Sequence, residues 1–226
     1  MAVGLFVSGT DTGVGKTRIG AALAAQCAAR GFRVRARKPV ESGCEIRAGA
    51  LFPADADRLR RAAGAHDPLE TVCPCPLAAP LSPPRAAALA GRRLPLAQLI
   101  AACTAELSPG DFLLVEGAGG FLSPLADDAL NADLALALGL AVLLVGDDRL
   151  GAVHQVLATA EAIRRRGLRL AGVILNAVRE PPDPRLENAP AITAHVDAPL
   201  LSVPYGPAAG AVLPEPWMTR VLSRCT

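Results

Sequence analysis

A chain of 226 residues with 51% hydrophobic and 19% charged residues can bury one good core, and its composition excludes disorder. A formal net charge of +2 leaves no basic footprint for nucleic acid, and the apolar runs are too short and interrupted for a membrane span. Six scattered cysteines, with Cys73-Pro74-Cys75 too tight for a metal knuckle, read as reduced structural thiols.

The chain opens on an apolar run, Val3 to Val7, which predicts a strand. No basic n-region precedes it, so the expectation is a cytoplasmic protein without a signal peptide. Next comes Ser8-Gly9-Thr10-Asp11-Thr12-Gly13-Val14-Gly15-Lys16-Thr17, and then an Ala- and Leu-rich segment from Arg18 to Arg30. Strand, glycine-rich turn and helix together form the setting of a phosphate-binding loop. Gly13 and Gly15 let the backbone bend and turn its N–H groups on an anion, and a helix starting near Lys16 adds its positive dipole end. Lys16 would reach terminal phosphates, and the Thr17 hydroxyl would ligate Mg²⁺. Against the general spacing G-x-x-x-x-G-K-[ST] the loop carries one extra residue: Thr10 stands where glycine is expected, and Gly9 sits one place early.

Arg33 to Val40 predicts a second strand, running into the polar turn Lys38-Pro39-Val40-Glu41-Ser42-Gly43. Open α/β sheets bind ligands at the carboxyl ends of their strands, so Lys38 and Ser42 face whatever the first loop holds. Position alone also allows an exposed strand-end lysine. Composition adds weight to Lys38: of 23 basic residues only Lys16 and Lys38 are lysines. A sequence that uses arginine for generic positive charge keeps lysine where a compact ammonium is needed.

Ala54 to Ala65 has a helical pattern with acids first and bases later. There Asp55 and Asp57 are either ligands or first-turn charges that complement the helix dipole. Leu77 to Pro84 reads as loop, and Pro84 to Ala90 and Leu96 to Leu107 as helices. Phe112-Leu113-Leu114-Val115 reads as a buried parallel strand, closed by Glu116 and followed by Gly117-Ala118-Gly119-Gly120. An acid closing an apolar strand beside a phosphate loop has the Walker B form, its carboxylate holding Mg²⁺ directly or through water. Further on, Leu130 to Leu138 and Gly151 to Arg166 read as helices, and Ala141 to Gly146, Leu170 to Asn176 and Leu200 to Tyr205 as strands. Glu180 to Asn188 is proline-punctuated, and Arg164-Arg165-Arg166 reads as a solvated helix end. Asn176 closes its strand, where its amide could bond a base edge or simply make a turn. Strand and helix alternate with no repeat or linker. The prediction is a single α/β domain over residues 1–226: one doubly wound, mostly parallel sheet with helices on both faces.

Three segments, Gly9 to Thr17, Lys38 to Gly43 and Val115 to Gly120, resemble the dethiobiotin synthetases in residues, order and spacing, over most of the chain. The extra loop residue is normal for that family, whose fold is P-loop NTPase-like. The resemblance implies a homodimeric cyclo-ligase using 7,8-diaminopelargonate, CO₂ and ATP as substrates and Mg²⁺ as cofactor, with neither nucleic acid nor membrane as partner. A carbamate forms on one amine, ATP phosphorylates it, and the neighbouring amine closes the ureido ring of dethiobiotin. By the same resemblance Lys16 steadies the γ-phosphate and carbamate oxygens, and Thr12 contacts the diamine and carbamate. Lys38 and Ser42 bind the carbamate and the transferring phosphoryl group. Thr17, Asp55 and Glu116 hold Mg²⁺, Asp55 being favoured over Asp57 by spacing to Thr71-Val72. Gly13, Val14, Gly15, Arg18 and Pro204 join the nucleotide site, and Asn176 reads adenine.

One segment departs from the family. After Leu150-Gly151 an Asn-His pair is usual; here Ala152-Val153-His154-Gln155 follows. That region reaches the substrate's carboxylate tail across the dimer interface, so either His154 or Gln155 takes over or the tail pocket has shifted. Asn188 is a further tail contact or a helix-start cap. The alternative reading is a ParA- or MinD-like nucleotide-switch ATPase acting as a binding module. Against it, the chain lacks an amphipathic membrane-targeting C-terminal helix, a basic face and a lysine early in the loop, where Thr10 stands. An amidase of the cobyrinate type would need room for a glutaminase domain, and there is none.

Overall fold

The computed structural model describes residues 3–206, 210 and 212–225. From the amino terminus, β1 (Val3–Gly9) leads through the glycine-rich loop into α1 (Lys16–Ala29) and β2 (Arg33–Arg37). Short elements follow: β3 (Val40–Ser42), β4 (Glu45–Arg47), β5 (Ala50–Phe52), α2 (Ala54–Ala62), α3 (Leu69–Val72) and β6 (Cys75–Leu77). Then come α4 (Pro83–Leu89), α5 (Leu96–Thr104), β7 (Asp111–Gly120), β8 (Pro124–Ala126), β9 (Ala129–Leu130) and α6 (Asn131–Leu138). The carboxyl half adds β10 (Ala141–Asp147), α7 (Ala152–Arg165), β11 (Leu170–Asn176), α8 (Asn188–Thr193), β12 (Leu200–Val203) and α9 (Glu215–Leu222).

Six parallel strands form the central sheet in the order β12-β11-β10-β1-β7-β2. The chain starts in the middle at β1, winds out to β2, returns as β7, then crosses β1 and winds out the other way. Successive strand residues point to opposite faces, so each strand feeds two cores. Leu5, Val7, Leu114, Leu143 and Ile174 pack with α1, α2 and α9 on one side. Phe6, Leu113, Val115, Leu144 and Val173 pack with α4 to α8 on the other. The doubly wound α/β expectation is met. All six cysteines are buried and unpaired, and among the described residues no helix is long and apolar enough to cross a membrane.

Several boundaries move for physical reasons. β2 stops at Arg37, not Val40: Pro39 has no N–H for a ladder and restricts Lys38, whose own N–H goes to the Val72 carbonyl. The chain then leaves the sheet, and Val40–Ser42 pairs in parallel with β6, whose last residue, Leu77, reads as loop in the sequence. β7 does not end at Glu116. Its glycines stay in the ladder, with Gly120 opposite Gly9 after a register shift, and the Asn131 side chain holds Ala118 and Gly120. Arg164 and Arg165 are exposed at the end of α7, as a solvated helix end requires, while Arg166 is half-buried and pairs with Asp133 of α6. Neither α3, α8, α9 nor the hairpins β4–β5 and β8–β9 stand out in the sequence pattern. All but α9 are too short to show a period; α9 is as long as α6 and buries Trp217, Met218 and Val221 on one face.

Candidate active site

The carboxyl end of β1 is where the sheet's winding reverses, and the glycine-rich loop occupies that crevice. Gly13 and Gly15 take φ of +78° and +92°, which opens the loop and lets α1 begin at Lys16. At Gly15 a side chain is barred outright: a Cβ would lie 2.2 Å from Nδ2 of Asn176. That amide nitrogen donates to the Val14 carbonyl at 2.9 Å, tying the end of β11 to the loop, while its Oδ1 is buried without a partner.

Lys16 folds back over the loop and donates from Nζ to the Asp11 carbonyl at 2.9 Å. Burial lowers its pKa from 10.5 to about 8; nearby Lys38 adds to the shift, and Glu116 opposes it. Facing it is a knot of charge around Glu116, which is 1% exposed at the centre of β7. Glu116 Oε1 accepts from Thr17 Oγ1 at 2.8 Å and from Lys38 Nζ at 2.6 Å. Its Oε2 is buried with no partner. Lys38 is 4% exposed, so it is no surface lysine. Burial pulls its pKa down, but Glu116 and then Asp55, whose Oδ2 is 3.8 Å away, more than offset this and raise it.

The two candidate aspartates are told apart by their partners. Asp57 is 6% exposed and bound by Arg60 at 3.0 Å and Arg61 at 2.6 Å. Burial would raise its pKa, yet these guanidinium groups hold it below the usual carboxylate value. Asp55 is half exposed and lines the cavity.

A cavity of about 370 Å³ brings together Thr12, Gly13, Gly15, Lys16, Thr17, Arg18, Lys38, Ser42, Asp55 and Glu116. Val14 is not in it, since its side chain is core. Asn176 lies beneath the loop rather than in the wall. Pro204 is exposed just past β12, in a segment that Arg18 holds by donating to the Gly206 carbonyl at 2.8 Å. His154 is exposed at the start of α7 and Gln155 is half-buried; neither lines the cavity. Asn188 opens α8 without capping it, and its Nδ2 bonds Asp148 at 2.8 Å and the Arg149 carbonyl at 3.2 Å.

Sequence reasoning missed Glu41, which lines the cavity and accepts from backbone N–H groups at the start of α2. It also missed Asn131, whose amide makes four bonds to Ala118, Gly120 and Ser123 behind the wall. Glu41 stood inside a recognised segment; nothing local marked Asn131. A larger groove of about 580 Å³ between Leu157 and Arg224 holds none of these residues.

Comparison with known proteins adds the following. The AAA domain family pattern matches residues 3–211. The ATP-dependent dethiobiotin synthetase BioD of Anaeromyxobacter dehalogenans (strain 2CP-C) is 44% identical over 206 residues, covering 90% of this chain and 91% of that protein. The protein of the same name from Ralstonia nicotianae is 42% identical over 196 residues, covering 87% and 86%. Among solved structures, the septum site-determining protein MinD of Pyrococcus horikoshii, complexed with Mg-ADP, aligns with a TM-score of 0.54 at 18% identity, covering 100% of this chain and 95% of that one. A ParA family ATPase from Chlorobium tepidum aligns at 0.53 and 14%, covering 99% and 90%. At these identities the two structures share a fold with this chain and nothing finer.

Proposed function

The chain belongs to the ATP-dependent dethiobiotin synthetases, and from that premise we propose how its residues divide the formation of dethiobiotin from 7,8-diaminopelargonate, CO₂ and ATP. The observation that carries the assignment is the meeting of both lysines, Thr17 and Glu116 on one cavity at the loop.

The loop N–H groups from Gly13 to Thr17 and the amino end of α1 take the triphosphate, with the Lys16 ammonium on its terminal oxygens. Thr12 and Ser42 orient the diamine and its carbamate. A carbamate oxygen attacks the γ-phosphorus and ADP leaves. The neighbouring amine then attacks the carbonyl carbon of the mixed anhydride, phosphate leaves, and the amine proton is released as the ring closes. Phosphoryl transfer is mostly positioning and charge neutralisation, and here Lys16 and Lys38 supply charge from two sides. Lys38 turns from Glu116 to the carbamate, exchanging one anion for another.

Thr17, Asp55 and Glu116 fit Mg²⁺: all are oxygen donors, as a hard cation requires, and Glu116 Oε2 has no partner in the protein. When bound, the ion neutralises charge on the β- and γ-phosphate oxygens. Asn176 Oδ1, also without a partner, accepts from the adenine amino group beside Pro204. The working unit is a cytoplasmic homodimer of single-domain subunits, in which His154 or Gln155 receives the substrate's carboxylate from the neighbouring subunit.

The test mixes protein with 7,8-diaminopelargonate, bicarbonate, ATP and Mg²⁺ and follows dethiobiotin by mass. Dethiobiotin with matching ADP supports the assignment; ADP alone would replace it with a nucleotide switch.

A further inference from the structure

α2 begins without a cap of its own. Pro53 precedes it and offers no side-chain oxygen, although the first N–H groups of any helix lack acceptors inside it. The acceptors come from a different element. Glu41, in β3, takes the Asp55 N–H on Oε1 at 3.1 Å and the Ala56 N–H on Oε2 at 2.9 Å. Glu41 is 7% exposed, and its carboxylate sits at the positive end of the helix dipole. Bonds from N–H groups to a charged acceptor are stronger and more directional than neutral ones.

A cap from a neighbouring residue would hold the helix end but not its orientation. This one fixes the helix end to the strand that follows Lys38. β3 is itself paired to β6, with Val40 opposite Cys75 and Ser42 opposite Leu77, so Glu41 stands on a rigid base. The residue whose N–H it grips is Asp55, which lines the cavity with Thr17 and Glu116 and lies 3.8 Å from Lys38.

We propose that Glu41 is a positioning residue for the divalent cation: by gripping the Asp55 backbone it sets that carboxylate toward Thr17 and Glu116 without touching the ion. The inference rests on Asp55 being a metal ligand, and the test separates the two claims. Mn²⁺ serves as the probe, with free ion counted by electron paramagnetic resonance in the presence of ADP. The proteins are wild type, Glu41→Gln, Glu41→Asp, Asp55→Asn and the Glu41→Gln/Asp55→Asn double variant. Gln keeps the volume but its NH₂ cannot accept, so one N–H is released; Asp keeps both acceptors a methylene short.

Groups that orient metal ligands affect affinity by roughly 10- to 100-fold, and Glu41→Gln is expected to weaken Mn²⁺ binding at the lower end of that range, with Glu41→Asp between it and wild type. Because Glu41 acts through Asp55, the double variant binds Mn²⁺ no more weakly than Asp55→Asn alone. Metal-free ADP affinity is not lowered in Glu41→Gln or Glu41→Asp. Multiplying effects in the double variant would overturn the proposal, as would Mn²⁺ affinity at the wild-type level in Glu41→Gln. A loss of metal-free ADP binding in Glu41→Gln would also overturn it, by making the residue a general brace. An Asp55→Asn protein that holds Mn²⁺ normally would remove Asp55 from the metal set and the proposal with it.

Discussion

Lys16 and Lys38 line one cavity, yet the pKa of one is lowered and that of the other raised. Lys16 has only a carbonyl for its ammonium, so burial prevails and the pKa falls to about 8. Lys38 has Glu116 at 2.6 Å and Asp55 behind it, and these outweigh the same burial. A polyphosphate would restore the Lys16 charge, so binding draws in a proton above the free protein's pKa. ATP affinity is therefore full below pH 8 and falls as pH rises through it, by up to about tenfold per unit. Equilibrium binding across roughly pH 7 to 10, from one unit below the shifted value to near the ordinary one, checks this, and Lys16→Arg should flatten the profile. Lys38→Arg keeps the charge but puts a planar fork where Glu116 and Asp55 hold a point charge. Losing a well-placed donor to a developing oxyanion costs about 100-fold or more in kcat, and that is the fall expected in steady-state turnover.

The elements that carry these residues are fastened by polar contacts between distant parts of the chain. Asp67, after α2, takes Arg35 on Oδ1 at 2.6 Å and Arg37 on Oδ2 at 2.5 Å, and Arg37 also reaches the Ala105 carbonyl at 2.8 Å. The clamp fixes β2 just before Lys38. Asp67→Ala takes the shared carboxylate from two buried guanidinium groups, leaving Arg35 with Asp111 at 3.8 Å and Arg37 with the Ala36 and Ala105 carbonyls, and a loss of about 3 kcal/mol is expected from urea unfolding. At the junction of loop and β11, Gly15→Ala meets both a φ of +92° and the Asn176 amide, so the loop must open. ADP binding by calorimetry should drop in this variant while the midpoint of urea unfolding moves less than in Asp67→Ala. These contacts mark the border of what the sequence shows. β11 is legible to the residue, Leu170–Asn176, because a buried parallel strand must be apolar along its length. Arg37 sits in its strand at 0% exposure and is not legible as buried, since its partner is 30 residues away. Glu41 is the same case: a capping carboxylate 14 residues before the N–H it accepts from, with two strands between, leaves no local pattern.

At the scale of the whole molecule the sheet makes the site possible. Two cores, one on each face, leave the strand ends free, and winding outward in both directions from β1 opens a crevice where its loop emerges. That much was legible, because alternation of apolar strands and helices dictates it; the loop, Lys38 and Glu116 were legible as local motifs at strand ends. The walls behind them, Asn131 and the β3–β6 pair, follow from packing between segments that no single stretch of sequence records. The scarcity of lysine has a practical consequence. With Lys16 and Lys38 as the chain's two lysines, every side-chain amine stands in the cavity. An acylating reagent needs the neutral amine, which Lys16 supplies to about half at pH 8 and Lys38, its pKa raised, withholds. Peptide mass mapping should find the label on Lys16, and added ATP should protect it. Amine acylation thus becomes a direct readout of site occupancy, with no engineered reporter.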